Sequence, residues 1–440
     1  MKSSCTPFVI LLAGLAATAA QAESWPHWRG PNFNGSSPEK NLPDTFSKTE
    51  NVKWVAELPG PSAATPIIWG DTVFMSSTDE GTKTLRAMAL DRKTGKLLWN
   101  VEVAQGFSQD RTSNFASPSP TTDGKLVYFL YGTGDLVALD FEGKQVWARK
   151  LEKDYGQFAY QWTYGASPTL FDGKLYVQVL HRNVPVHERG RRDGPNESYL
   201  LALEPGTGAE LWRHVRPSEA AAESQEAYST PIPLTHDGRA EILISGGDCL
   251  TGHDAKTGKE LWRWGSWNPG KIGHWRLVPS PVASEHGALV CAPKGSPVFA
   301  VKHGLAGKLD DSALAWKSPE REVSSDVCTP LLYKGRFYVL NGERPTKVIA
   351  RIDPATGKPD WIGELDTRAK IESSPTGADD KIYFQDFRGQ VFIVAADKEF
   401  KVIRHIPMGD EGDDRVRATI SVADGNLFIR TGRKVYCVGR

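Results

Sequence analysis

Arginine, carboxylate and aromatic side chains recur at one point in a cycle of roughly 50 residues. Each set stands a few residues before a small-residue-proline step. Arg111 and Asn114 precede Ser117-Pro118, Trp162 and Tyr164 precede Ser167-Pro168, and Glu226 and Tyr228 precede Thr230-Pro231. His274 and Arg276 precede Ser280-Pro281, Asp326 precedes Thr329-Pro330, and Glu372 precedes Ser374-Pro375. Arg415 and Arg417 precede Thr419-Ile420, which lacks the proline, and Thr65-Pro66 opens the series. Guanidinium groups bind planar anions, and aromatic side chains offer a broad apolar face with a polar edge. If the repeats close into a ring, these groups converge on one mouth. Such a mouth suits a polar ligand such as a sugar, or a protein loop. The same groups can instead pair with each other and with backbone groups at the rim.

The elements that must position them are short strands. After each step comes an apolar run, a Gly turn and a second run, as in Gly70-Asp-Thr-Val-Phe74 and Gly124-Lys-Leu-Val-Tyr128. Alternation of β-branched and aromatic residues between Gly turns predicts antiparallel strands. A third strand leads into the turn Asp-x-x-Thr-Gly-Lys, seen at Asp91–Lys96, Asp254–Lys259 and Asp353–Lys358. Glu204–Gly208 is a variant and Asp140–Lys144 a shortened form. Asp accepts backbone N–H bonds from the residues ahead of it, and Gly takes the positive φ that closes the hairpin. A fourth strand carries Trp99, Trp147, Trp212, Trp262, Trp316 or Trp361. Small residues two before the acid (Ala89, Ala138, Ala202, Gly252) leave space for that ring. The fifth repeat lacks the turn, and the seventh keeps Asp397 without Thr-Gly.

Eight openings but only seven following outer strands leave the last repeat short. Asn51-Val-Lys-Trp54-Val has the outer-strand pattern and precedes the first opening. The expected fold is therefore all-β, an eight-bladed β-propeller of four-stranded antiparallel blades closed by an N-terminal strand, with seven blades as the alternative. Closure of that kind removes open sheet edges. The Asp-x-x-Thr-Gly turns then share one face. The longer connections (104–116, 149–165, 213–228, 264–279 and 406–418) share the other, where binding functions concentrate.

These repeats resemble the PQQ-repeat, or quinoprotein-like, eight-bladed propellers over residues 51–440. The pattern Ala-x-Asp-x-x-Thr-Gly-Lys-x-x-Trp is that family's tryptophan-docking motif, which implies a docking role for Trp54 and for the six tryptophans named above. The leader Trp25-Pro-His-Trp28-Arg-Gly-Pro31 looks like that of a group of exported members. Two relatives frame the functional expectation. Quinoprotein dehydrogenases imply PQQ with Ca²⁺ held by Glu, Asn and Asp, often beside vicinal cysteines. No two cysteines are adjacent here, and no such ligand set matches. The BamB-type lipoprotein of outer-membrane protein assembly implies a protein partner, but Cys5 precedes the apolar stretch and cannot be a lipobox cysteine.

Composition narrows the rest. The 53 basic and 53 acidic residues balance, so nothing favours nucleic acid. Lys2, the apolar run from Phe8 to Ala20 and Ala20-Gln21-Ala22 read as a signal peptide spanning 1–22, with residues 23–50 an extension packing on the propeller. The run is shorter than the roughly 20 residues of a membrane span. The expected location is periplasmic or secreted, without a lipid anchor or transmembrane segment. Cys249, Cys291, Cys328 and Cys437 read as buried thiols, with Cys291 and Cys328 the pair to inspect.

The loop from His181 to Gly194 is long and basic, either a grip for an anion or a solvated connection. Its two histidines do not form a recognisable metal set. Trp267 and Trp275 sit on a Gly/Pro loop and read equally as a sugar platform or as a cover for the fifth blade. The functional expectation is a binding or protein-interaction scaffold in the cell envelope, its partner an envelope protein or a carbohydrate-like ligand. No cofactor and no metal are expected. The alternatives are a PQQ- and Ca²⁺-dependent oxidoreductase of sugars or alcohols and a BamB-like assembly factor.

Overall fold

The computed structural model describes residues 24–319 and 321–440. Eight sheets follow one another along the chain, each an antiparallel series of neighbouring strands. In blade one these are Ile67–Trp69, Thr72–Asp79, Thr84–Asp91 and Leu97–Gln105. First strands of adjacent blades touch and ring a central channel. Third strands are buried on both faces, as in Tyr199–Leu203, whereas outer strands such as Glu210–Val215 are exposed or half-buried. This gradient follows from stacking, because neighbouring blades cover both faces of the middle strands.

Ring closure is made by Val52–Glu57, which pairs with Lys434–Gly439 and sets Trp54 opposite Cys437. Blade eight therefore takes its outer strand from one end of the propeller sequence and three strands from the other. The fold differs from the sequence expectation in two details. The second repeat opens at Ser119-Pro120, two residues beyond Ser117-Pro118, because Thr121–Thr122 is the strand that pairs with Val127 and Tyr128. The tandem Ser-Pro-Ser-Pro made the two registers indistinguishable. Blade four has a fifth strand, Gly307–Leu309, running parallel to Glu260–Trp264. It comes from the connection in blade five, where the Asp-x-x-Thr-Gly turn is missing.

Docking of the tryptophans explains how blades lock together. In blades one to four the Trp lies opposite a small residue, as in Ala89 with Trp99 and Ala202 with Trp212, whereas Trp361 of blade six lies opposite Arg351. A β-bulge follows immediately and aims the ring sideways. It lands on the turn glycine of the next blade: Trp54 on Gly95, Trp99 on Gly143, Trp147 on Gly208, Trp212 on Gly258 and Trp316 on Gly357. Four of these indoles also donate to the same turn, as in Trp54 Nε1 to Arg92 O at 2.8 Å and Trp316 Nε1 to Pro354 O at 2.7 Å. Blade five offers no such turn. Trp262 instead donates to Glu241 Oε2 of its own blade at 2.7 Å, in space left by Gly252.

Residues 25–37 cross the channel near the turn face. Trp25 exchanges two backbone hydrogen bonds with Ile68 in blade one, at 2.9 and 3.0 Å. Pro26 O accepts from Thr122 N in blade two, Asn34 O from Leu332 N in blade six, and Gly35 O from Gly377 N in blade seven. Arg29 is wholly buried and donates to Pro330 O at 2.8 Å and Pro375 O at 2.9 Å. The signal-peptide reading of residues 1–22 lies outside the described residues.

Candidate functional site at the channel mouth

The long-loop face opens into a cavity of about 540 Å³ that runs down the channel to Trp28 of the crossing segment. Its lower wall is a girdle of hydroxyls, one from the start of each first strand. Thr65 N donates to Ser119 Oγ, Ser119 N to Ser167 Oγ, and Ser167 N to Thr230 Oγ1, at 2.9 to 3.0 Å. The series continues through Ser280, Thr329 and Ser374. Six of these hydroxyls thus accept the backbone N–H of the opening residue in the preceding blade. This accounts for the small-residue-proline steps.

Above the girdle stand the side chains that precede it in sequence. Trp162, Tyr228, Arg276, Glu372, Arg415 and Arg417 line the cavity. The other expected residues do not. Tyr164 is fully buried and donates to Gln178 O at 2.8 Å inside blade three. Arg111 and His274 lie at exposed positions outside the lining. Asp326 sits behind Arg276, with Oδ2 3.6 Å from Arg276 Nη1 and 3.1 Å from Lys294 Nζ. Burial opposes its ionisation, but Arg276 and Lys294 together hold the carboxyl below its ordinary range.

Further lining residues escaped the sequence pattern, among them Trp28, Glu343, Lys370 and Phe387. Glu343 and Phe387 sit on tight connections between second and third strands, which open on the same face but are too short to stand out. Lys370 Nζ lies 2.6 Å from Glu343 Oε2, and Arg417 Nε lies 2.6 Å from Glu372 Oε2. Arg417 also covers the Phe387 ring at 5.0 Å and reaches Thr112 O. Burial pushes the Glu372 carboxyl up to about 7, Arg417 opposing and the neighbouring Glu343 adding to the rise.

Across the mouth, Glu226 is fully buried and accepts from Arg182 Nε and Tyr228 Oη, both at 2.6 Å. Trp162 Nε1 donates to Glu223 Oε1 at 2.9 Å, which fixes the ring at the rim. His181 of the basic loop is buried, with Nδ1 accepting from Ala159 N, and burial lowers it to about 4. Trp267 is buried against Trp264 and Trp275 packs beside the same core, so both cover blade and neither forms an open platform.

Calcium chemistry does not fit this donor set. Each mouth carboxylate faces a side-chain cation, and among the described residues no group of three or more His, Cys, Asp or Glu could hold a metal ion. Cys249, Cys291, Cys328 and Cys437 are all buried and unpaired.

Fold and motif together define a PQQ-repeat propeller. The chain belongs to the family described as outer membrane protein assembly factor BamB, whose model matches residues 46–177 and 249–440. Among curated proteins it is similar to polyvinylalcohol dehydrogenase of Sphingopyxis sp. (strain 113P3), 28% identical over 233 residues. That match covers 51% of this chain and 32% of the relative, so the chain spans about a third of that enzyme. Among solved structures, quinohemoprotein alcohol dehydrogenase from Comamonas testosteroni aligns with a TM-score of 0.66 at 14% identity, over 97% of this chain and 82% of that one. BamB from Moraxella catarrhalis aligns with a TM-score of 0.59 at 14% identity, over 88% and 99%. At such identity these structures share the fold with this chain, and function has to be argued from the site. Among the described residues no helix is long and apolar enough to cross a membrane.

Proposed function

We propose that this chain is an exported binding or protein-interaction scaffold of the cell envelope, with the channel mouth on the long-loop face as its ligand site. The observation that carries this reading is the mouth itself. A blind cavity is floored by Trp28, ringed by hydroxyls and rimmed by Arg276, Arg415, Arg417, Trp162 and Tyr228 on a rigid scaffold. Its volume lies within the range of roughly 300–1,000 Å³ of small-molecule sites. Its carboxylates are neutralised internally, which suits recognition better than proton transfer.

A second reading, a quinoprotein oxidoreductase, rests on the partial likeness to polyvinylalcohol dehydrogenase. A third, an assembly factor, rests on the family. One set of measurements separates them. The purified protein is titrated with PQQ and Ca²⁺, following absorbance, melting temperature and dye reduction with alcohols, sugars and polyvinyl alcohol. The scaffold reading expects no saturable binding and no turnover. Substrate-dependent dye reduction would overturn it. Photocrosslinkers at Arg111 and His274, exposed beside the mouth, would recover an outer-membrane protein under the assembly reading. Export itself is checked by N-terminal sequencing, with Glu23 expected as the first residue.

A further inference from the structure

We infer that the channel mouth is built for an anionic carbohydrate, a sugar carrying a carboxylate or phosphate. This rests on the ligand-site reading above and adds the class of ligand. The first observation is charge. Arg276, Lys370, Arg415 and Arg417 line the cavity against two carboxylates, Glu343 and Glu372. Lys370 and Arg417 are committed to those two at 2.6 Å. The ion pairs of Arg276 and Arg415 are longer, at 3.6 to 3.9 Å. Arg276 forms two looser ion pairs, with Glu223 at 3.7 Å and, through Nη1, with Asp326 at 3.6 Å, and among the described residues the buried Nη1 has no acceptor within hydrogen-bond distance. A buried guanidinium N–H without an acceptor calls for an ion, water or ligand to complete it. Among the described residues Arg415 forms one ion pair, with the exposed carboxylate of its chain neighbour Asp414 at 3.9 Å. The two arginines sit on the loops leading into blades five and eight, three blades apart around the mouth. One ligand spanning the opening meets both.

The second observation is independent of charge. Ser119, Ser167, Thr230, Ser280, Thr329 and Ser374 all line the cavity, and each accepts one backbone N–H with its oxygen. A hydroxyl that accepts in this way keeps its own proton to donate. The lower wall is therefore a ring of O–H donors facing whatever enters. Donors below and guanidinium groups above require an occupant rich in acceptors. The exposed part of the Trp162 ring and the Tyr228 ring add flat walls on one side. Carbohydrate hydroxyl and ring oxygens match the girdle, and an acidic substituent matches Arg276 and Arg415.

Isothermal calorimetry of the whole protein at low salt tests this with three probes: trigalacturonic acid, glucose 6-phosphate and neutral maltotriose. Saturable binding of an acidic probe is expected, weakening as NaCl is raised, with maltotriose at least about tenfold weaker. The carboxylate and phosphate arms identify which acid is preferred. Arg415→Gln is expected to weaken the acidic probe about tenfold, the loss of one charge-assisted contact, and Arg415→Lys to recover most of it. Arg415 is at an exposed position, so both variants should fold as the parent does. Equal binding of maltotriose would overturn the anionic assignment while leaving the ligand-site reading standing. No binding of any probe would overturn the carbohydrate assignment, with the crosslinking above then deciding the scaffold reading separately.

Discussion

Glu372 shows how one residue reports on the site. Its carboxyl titrates near 7 because burial disfavours the charge more than Arg417 restores it. In an unfolded chain the group would titrate near 4.5. The folded state therefore holds the proton more tightly, and stability falls as pH rises from about 4.5 through 7. The full shift corresponds to about 3 kcal/mol. Glu372→Gln should flatten this part of the stability profile, so its melting temperature should gain on the parent between pH 5 and pH 8. An unchanged difference across that range would show that Glu372 is ionised throughout. Gly95 makes a second prediction at this scale. It sits at φ +70°, and a Cβ there would lie 2.5 Å from the Trp54 ring. Gly95→Ala should cost on the order of 1–3 kcal/mol in denaturant unfolding, through strain and lost docking together.

Between elements, stability depends on contacts that cross from one blade to the next. Trp54 carries the closure of the ring, since it lies on the N-terminal strand and docks on the turn of blade one. Trp54→Ala should cost about 3–5 kcal/mol, as for other buried tryptophans. Leu98 lies beside Trp99 but is exposed, so Leu98→Ala is expected to stay within about 0.5 kcal/mol of the parent. Equal losses for the two would sink the docking account. The crossing segment is pinned by Arg29, which burial lowers to about 9 and leaves charged at neutral pH. Arg29→Met keeps the bulk but strips the donors from Pro330 O and Pro375 O. It should lower stability by about 2–3 kcal/mol.

Over the whole molecule, the four thiols of the propeller are spread through blades four, five, six and eight, and none is paired. Burial pushes Cys437 up to about 12 and raises Cys291 and Cys328 further. Alkylating reagents should leave these thiols untouched in the native protein and modify them in guanidinium, with no change of melting temperature on adding reductant. Much of this architecture was legible in the chain. The period of the Asp-x-x-Thr-Gly turns, the Gly positions and the Trp that follows are local signals, because a hairpin needs its turn chemistry and an outer strand its alternation within a few residues. Even the closing strand could be read, since Asn51–Val55 carries an outer-strand pattern with no repeat of its own. The site was legible in outline, because the ring folds residues that precede each first strand onto one mouth. Which of them face the cavity was not. Tyr164 and Trp162 are two residues apart, yet one reaches into blade three and the other lines the opening. The pairing of Arg417 with Glu372, the pairing of Arg276 with Asp326, and the floor made by Trp28 join residues that are distant in the chain. Side-chain direction and the neutralisation of one charge by another depend on distances that only the closed ring creates, and a sequence records no such distances.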